Sequence, residues 1–464
     1  MQNVKKIVAG LMMMTGLWLA WEGGCSAEEV TPDYKQLIRQ SVPVQSVVKS
    51  YEDLLSEERF QKTPDKPTEV FLMESGYQDI PQVMIEVTSV DKINREEYIP
   101  AQVTIVDPSG ENRILKDIDA QVRIRGNFTS KRDKKPYNIK LSGKAELLGM
   151  SAGKKWYLLA NRYDKSLVRN RLVLDLAAQM RMDYTPESRY VDLWLNGTYL
   201  GNYLITTPID VKKNLVDIDV EEGDFLFERE RSRVEEGVTY IKSPIYGYRL
   251  AFNEPENPTE EQFAAAEKIL RGVDEAIASR DLEEVKKVLD IDSFIDLHLV
   301  NEFFKNQDAD FSSTRFYVKD GRMYAGPLWD ADLSMGNVNP WLYTQDVNDP
   351  DVLYVLQSGW IKELMEIDEF ARLFATRYVE LQDVLVNIYE DNELGTNQID
   401  LLLEQYGEAF LRDSQVAGWG FVSCGLDKTP KPTYRENVEE IREWLKIRNE
   451  WLLAYMKGLL GEAE

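Results

Sequence analysis

The chain has 464 residues, with 80 Asp and Glu against 55 Lys and Arg, one His, two Cys and a formal net charge of −25. Nucleic-acid affinity comes largely from Lys and Arg displacing counterions, so an excess of this sign excludes non-specific nucleic-acid binding. A lone histidine, His298, leaves no His-rich zinc site and would be the sole base of any Ser-His-Asp hydrolase, while two cysteines supply neither a disulfide framework nor a four-Cys metal site.

Lys5 and Lys6 precede an apolar run over residues 7–21, and Cys25-Ser26-Ala27 follows. This is the layout of an export signal over 1–27. The run falls short of the ~20 residues of a membrane-spanning helix, so no span is expected in the mature chain. Cleavage after Ala27 predicts a secreted protein; lipidation of Cys25 predicts a cell-surface lipoprotein. Either fate leaves Cys424 unpaired. Residues 28–78, rich in Glu, Lys, Gln and Pro, read as an exposed lead-in with a helix over about 51–60.

Alternating apolar runs at 83–87, 101–105, 120–124, 137–141 and 156–160 predict strands. After Asp164-Lys165-Ser166 a helix begins, with Leu167, Leu172, Leu176 and Met180 along one side. The runs 190–195 and 199–205 flank Asn196-Gly197, a strong two-residue hairpin signal. Beyond Pro258 the pattern turns mainly helical. Thr259 and Gln262 form a capping-box signature ahead of Phe263, Ala266, Leu270, Val273 and Ile277, a second helix is expected over 292–305, and the last carries Val438, Ile441, Leu445, Leu452 and Tyr455.

Three constellations carry candidate chemistry. Arg123-Ile124-Arg125-Gly126-Asn127-Phe128-Thr129-Ser130, followed by Lys134, Lys135 and Lys140, puts backbone N–H groups and cations around a turn that suits a phosphate; a solvated basic hairpin explains the same residues. Asn161, Asp164, Ser166, Arg169 and Asn170 gather where a strand yields to a helix. Asp164 or Ser166 as N-cap accounts for part of that group, but Arg169 is a cation opposing the helix dipole and calls for an anionic partner. Asp308, with Ser313 five positions on, then Asp330 and Asp332, follows the order used in phosphoryl transfer: one carboxylate for the acceptor hydroxyl proton, then oxygen donors for Mg²⁺. Acidic loops in an acidic protein are the alternative.

The combination resembles the spore coat protein H (CotH) kinase family, secreted atypical kinases. The resemblance runs over residues 80–456 through Arg125-Gly126-Asn127-Phe128-Thr129, Lys134-Lys135-Pro136-Tyr137-Asn138-Ile139-Lys140, Lys155-Trp156-Tyr157-Leu158-Leu159-Ala160-Asn161, Asp164-Lys165-Ser166-Leu167-Val168-Arg169-Asn170, Leu195-Asn196-Gly197-Thr198-Tyr199-Leu200-Gly201, Asn301-Glu302-Phe303-Phe304-Lys305-Asn306-Gln307-Asp308 and Trp329-Asp330-Ala331-Asp332. It implies an α+β, protein-kinase-like bilobal fold over 79–456, with a β-rich lobe over about 79–255 and a mainly helical lobe over about 256–456. It also implies an ATP site with Mg²⁺ or Mn²⁺ between the lobes. Asp308 is then the catalytic base, Asp330 and Asp332 with Ser313 the metal ligands, and Arg125, Gly126, Asn127, Ser130 and Lys135 or Lys140 the phosphate contacts. Arg169 and Asn170 brace the nucleotide, and Glu228 is a candidate partner of the phosphate lysine.

Two departures bear on activity. Ser313 stands where some members carry Asn, and Asp310 adds a carboxylate able to compete with Asp308. The expected function is an exported ATP/Mg-dependent kinase acting on Ser or Thr of a protein on the cell or spore surface. The alternative is an inactive pseudokinase serving as a surface scaffold. A metal-dependent carbohydrate-active protein, suggested by ten Trp and 23 Tyr, ranks behind both.

Overall fold

The computed structural model describes residues 80–107, 115–127, 129–231, 235–309, 311–337, 349–414, 416 and 434–462. The export signal, the lead-in, Phe128, Asp310 and both cysteines lie outside the described residues. The fold is mixed α+β, sheet-rich in its N-terminal part and helical towards its C-terminus.

The first strands are β1 (Gln82–Glu86), β2 (Ile99–Val106), β3 (Leu115–Ile124), β4 (Tyr137–Leu147) and β5 (Met150–Leu159). After helix α1 (Arg169–Ala177) come β6 (Ser188–Leu195) and β7 (Thr198–Thr206). They form a closed barrel in the order β1-β2-β3-β4-β5-β7-β6. All neighbours are antiparallel except β1 and β6, whose parallel pairing closes the cylinder. Period-two alternation sends Val83, Ile85, Val103, Val122, Ile139, Trp156, Leu158, Val191, Leu193 and Ile205 into the interior. Fully burying a Val, Leu or Ile side chain contributes about 1.5–3 kcal/mol, so this lining fixes the register: a one-residue slip would turn it outward. Asn196 and Gly197, both at positive φ, make the tight turn between β6 and β7 that their sequence predicts.

A second sheet takes β8 (Phe225–Arg229), β9 (Tyr240–Lys242) and β10 (Arg249–Glu254) together with a late hairpin, β11 (Arg315–Lys319) and β12 (Arg322–Ala325). Its order is β12-β11-β8-β10-β9. The mainly helical second half thus returns two strands to the sheet of the first, and Arg315 pairs with Glu228 across the β11–β8 junction.

The helices are α2 (Glu260–Ala278), α3 (Leu282–Val288), α4 (Ile291–Phe303), α5 (Gly359–Met365), α6 (Asp368–Glu380), α7 (Gln382–Val386), α8 (Gln398–Ser414) and α9 (Tyr434–Leu460). The capping box at Thr259 and Gln262 is formed in full. Helix α4 is buried nearly all round, its polar Asp296, Asn301 and Glu302 included, and packs among the second sheet, α1, α6 and α9. His298 lies within it, its Nδ1 bonded to the Phe294 carbonyl, and burial lowers its pKa to about 4. The lone histidine is a neutral core residue. Trp156, Trp194 and Trp360 are fully buried as well. No helix among the described residues is long and apolar enough to cross a membrane.

Candidate active site

The last turn of α4 leads into Asn306, whose amide donates to Asn301 Oδ1 (3.0 Å) and to the Asp330 carbonyl (3.2 Å). Its own Oδ1 accepts the Asp308 N–H (3.2 Å). One buried asparagine therefore joins the two acidic segments that the sequence separates. Asp308 opens a turn in which its carbonyl accepts from the Phe311 and Ser312 amides. Ser313 and Asp330 both hold positive φ, and Ser313 Oγ donates to Asp330 Oδ2 (3.2 Å).

The electrostatics follow from crowding. Burial pushes the Asp330 carboxyl up, while Arg125, Ser313 and Arg315 oppose that rise. Asp332 is driven well above the carboxylate range, first by burial and then by the charges of Asp330, Asp308 and Asp164, with Arg169 opposing. A buried carboxylate crowded by acidic neighbours, as Asp332 is, is a chemical match for a divalent cation.

Arg169 and Asn170 tie α1 beneath this loop. The Arg169 guanidinium meets Asp164 (2.7 Å), the anionic partner its helix position demands, and donates to the Ser334 (2.9 Å) and Met335 (3.2 Å) carbonyls. Asp164 also accepts the Arg169 N–H at the start of the helix. Asn170 donates to Asn161 and accepts the Ala331 N–H (2.9 Å). Both residues brace the Asp330–Asp332 segment through protein contacts.

The outer wall of the barrel reaches the Asp330 segment through Arg125 and Tyr157. Register places Arg123, Asn138, Tyr157 and Thr206 in one row across β3, β4, β5 and β7. Arg125, just past β3, lays its guanidinium over the Tyr157 ring (4.1 Å) and near Trp329 (5.1 Å), the residue before Asp330. Four buried polar atoms here have no hydrogen-bond partner: Arg123 Nε, Arg125 Nη1, Asn138 Oδ1 and Thr206 Oγ1. A buried polar atom without a partner costs about 1–3 kcal/mol, so a run of them on one wall calls for polar partners, ordered water or a polar ligand.

The remaining candidates are placed differently. Gly126, at φ +79°, makes a turn in which a Cβ would lie 2.3 Å from Thr129 Oγ1. Asn127 accepts from Arg95 (2.8 Å) through its side chain and from Ser130 Oγ (2.7 Å) through its carbonyl. Lys135 donates to the Ser130 (3.1 Å) and Arg132 (2.8 Å) carbonyls. These three side chains hold the loop in shape. Lys140 is exposed on β4, opposite Lys155. Glu228 pairs with Arg315 (3.2 Å), not with either lysine. Sequence reasoning missed Asn306, Asn138, Thr206 and Arg315 as site residues, since their roles arise from cross-strand register and packing.

No group of three or more His, Cys, Asp or Glu side chains arranged to hold a metal occurs among the described residues. Mg²⁺ commonly takes one or two carboxylates and completes its shell with water and substrate phosphates, so Asp330 and Asp332 suffice in kind, with the Ser313 hydroxyl beside them. Among known protein families, the one described as CotH kinase protein matches residues 122–452, well over half of the chain. The chain belongs to that family. The CotH match runs from within β3 to within α9 and takes in the cationic wall, the α1 brace and both acidic segments. Strands β1 and β2, which complete the barrel, precede it. No curated protein matches the chain.

Proposed function

We propose that this CotH-family chain is an exported, ATP-dependent protein kinase that uses Mg²⁺ or Mn²⁺ and phosphorylates Ser or Thr of a protein at the cell or spore surface. The observation that carries this reading is the Arg125 guanidinium, with one Nη unpartnered, acting on Asp330, which in turn crowds Asp332 together with Asp308. A nucleoside triphosphate supplies what both sides lack: anionic oxygens for the arginines and further ligands for a carboxylate-held cation.

Asp308 accepts the acceptor hydroxyl proton as that oxygen bonds to the γ-phosphorus and the bond to the ADP leaving oxygen breaks. Arg125 stabilises charge on the transferred group from within a site walled by Tyr157 and Trp329. Asp330 and Asp332 would hold the metal, Ser313 fixes the Asp330 carboxylate, and Arg169 and Asn170 fix the loop that carries both. A metal so held would supply positive charge to the phosphates. The export pattern over residues 1–27 supports an extracytoplasmic substrate.

Transfer of labelled phosphate from ATP to a surface-protein extract tests the reading. Asp308→Asn is expected to lower kcat by about 10²–10⁴, and Asp330→Asn to abolish metal-dependent turnover. Wild-type transfer no greater than that of these variants, with Mg²⁺ and with Mn²⁺, would sink it. The second reading, a nucleotide-binding pseudokinase, is favoured by Ser313, a poorer metal ligand than the Asn that some family members carry there; it predicts stabilisation by Mg-ATP without transfer.

A further inference from the structure

Lys134 and Asp413 lie 279 positions apart in sequence and meet in the interior. Lys134, just before β4, is 2% exposed, and Asp413, in the last turn of α8, is 4% exposed. The lysine donates to the Asp413 carboxylate and to the Asn202 carbonyl on β7 (2.7 Å); Asp413 also accepts the Asn202 N–H (2.8 Å). One residue earlier on the same helix, Arg412 donates to buried Asp192 (2.7 Å), which also accepts from Tyr199 (3.1 Å). Helix α8 thus grips the barrel by two ion pairs, and they do different work. The Arg412 pair ends on β6. The Lys134 pair ends on the loop that carries Arg125.

That loop, residues 125–136, is tied at successive residues. Asp133 pairs with Arg162 (2.7 Å), Lys134 with Asp413, and Lys135 folds back on Ser130 and Arg132. The Pro136 carbonyl then accepts the Arg125 N–H (3.0 Å), closing the loop at the residue that faces Asp330. A buried ion pair is a poor way to dock a helix, since apolar residues of similar volume often hold as well or better. What it adds is a fixed geometry.

We propose that Asp413 is a positioning residue for nucleotide phosphate: through Lys134 it anchors the 125–136 loop, and so holds the Arg125 guanidinium in register with Asp330. The proposal rests on the nucleotide reading above. It makes α8, which lies far beyond the acidic loops in sequence, part of the machinery that sets nucleotide affinity.

The test replaces both charges at once, with Lys134→Met and Asp413→Leu together, which leaves neither ion stranded. Two quantities are read on the full chain. Amide hydrogen exchange over residues 125–136, measured without nucleotide, is expected to quicken about tenfold while β6 stays protected, the signature of local opening. The Kd for Mg-ATP by calorimetry is expected to rise about 10- to 100-fold, as for misplacement of a binding group from a distance. Should the double variant fail to fold, Asp413→Asn keeps the hydrogen-bonding atoms and removes only the charge, and is expected to move both readouts in the same direction. Unchanged loop exchange overturns the proposal, and so does a loosened loop with wild-type Kd. A wild-type chain that does not bind Mg-ATP overturns the nucleotide reading and the role given to Arg125 with it; the exchange result, read without nucleotide, tells the two failures apart.

Discussion

Thr206 is fully buried, Asn138 is nearly so, and neither Thr206 Oγ1 nor Asn138 Oδ1 has a partner. Folding gains nothing from such atoms and loses the hydration they had in the unfolded chain. Replacement by apolar residues of like shape removes that cost, so Thr206→Val and Asn138→Leu are each expected to stabilise the nucleotide-free protein by about 1 kcal/mol. The same changes are expected to shrink the rise in melting temperature produced by Mg-ATP. Calorimetric scans with and without nucleotide check both halves. A variant that loses stability while keeping the full nucleotide-induced rise would assign these side chains to folding alone.

Among the elements, α9 carries a buried charge at its centre. Arg448, fully buried, donates to the Pro350 (2.7 Å), Val352 (2.8 Å) and Glu302 (2.8 Å) carbonyls and pairs with the Glu302 carboxylate. Glu302, at the end of α4, also accepts the Tyr354 and Leu356 amides. The helix is thereby fixed to the element that ends beside Asp308. Arg448→Met keeps much of the packing but strands the Glu302 charge, and is expected to cost about 3–5 kcal/mol, read as a fall in the urea midpoint. A change of less than 1 kcal/mol would show the pair to be dispensable.

Local signals made other elements readable from sequence. Asn196-Gly197 announced a hairpin, Thr259 and Gln262 announced a helix start, and both formed as expected. Arg169 announced an anionic partner, and Asp164 supplies it. The second sheet was not readable, because β8 pairs with β11 across all the chain that builds α2, α3 and α4, and no local pattern encodes that pairing. The surroundings of the two candidate phosphate lysines were unreadable for a related reason. Spacing named Lys135 and Lys140 as cations near a turn, but only packing decides that the first folds onto its own loop and the second faces solvent.

Across the whole molecule, a charge of −25 makes paired carboxylates decisive for behaviour in acid. Asp296, buried in α4, accepts from Arg181 (2.7 Å) and Arg377 (3.1 Å). Burial pushes its carboxyl up, but those hydrogen bonds outweigh the push and hold it below the usual range. The unfolded chain therefore takes up this proton more readily than the folded one. Its contribution is complete above the ordinary carboxylate range and is lost as the pH falls through the depressed folded value. Asp296→Asn is expected to lower stability most near neutrality and to converge on wild type in acid, measured as melting temperature against pH. A gap that stayed constant from pH 7 to pH 3 would refute the linkage.

The parallel pairing of β1 with β6 has a last consequence. Family likeness begins inside β3, yet the cylinder that presents Arg123, Asn138, Tyr157 and Thr206 is sealed by two staves that come before it. A chain begun where the likeness begins would have open edges on β3 and β6, bare to any other strand, with Val122 and Leu193 unroofed. The stretch that matches the family and the stretch that closes the cylinder are therefore not the same length.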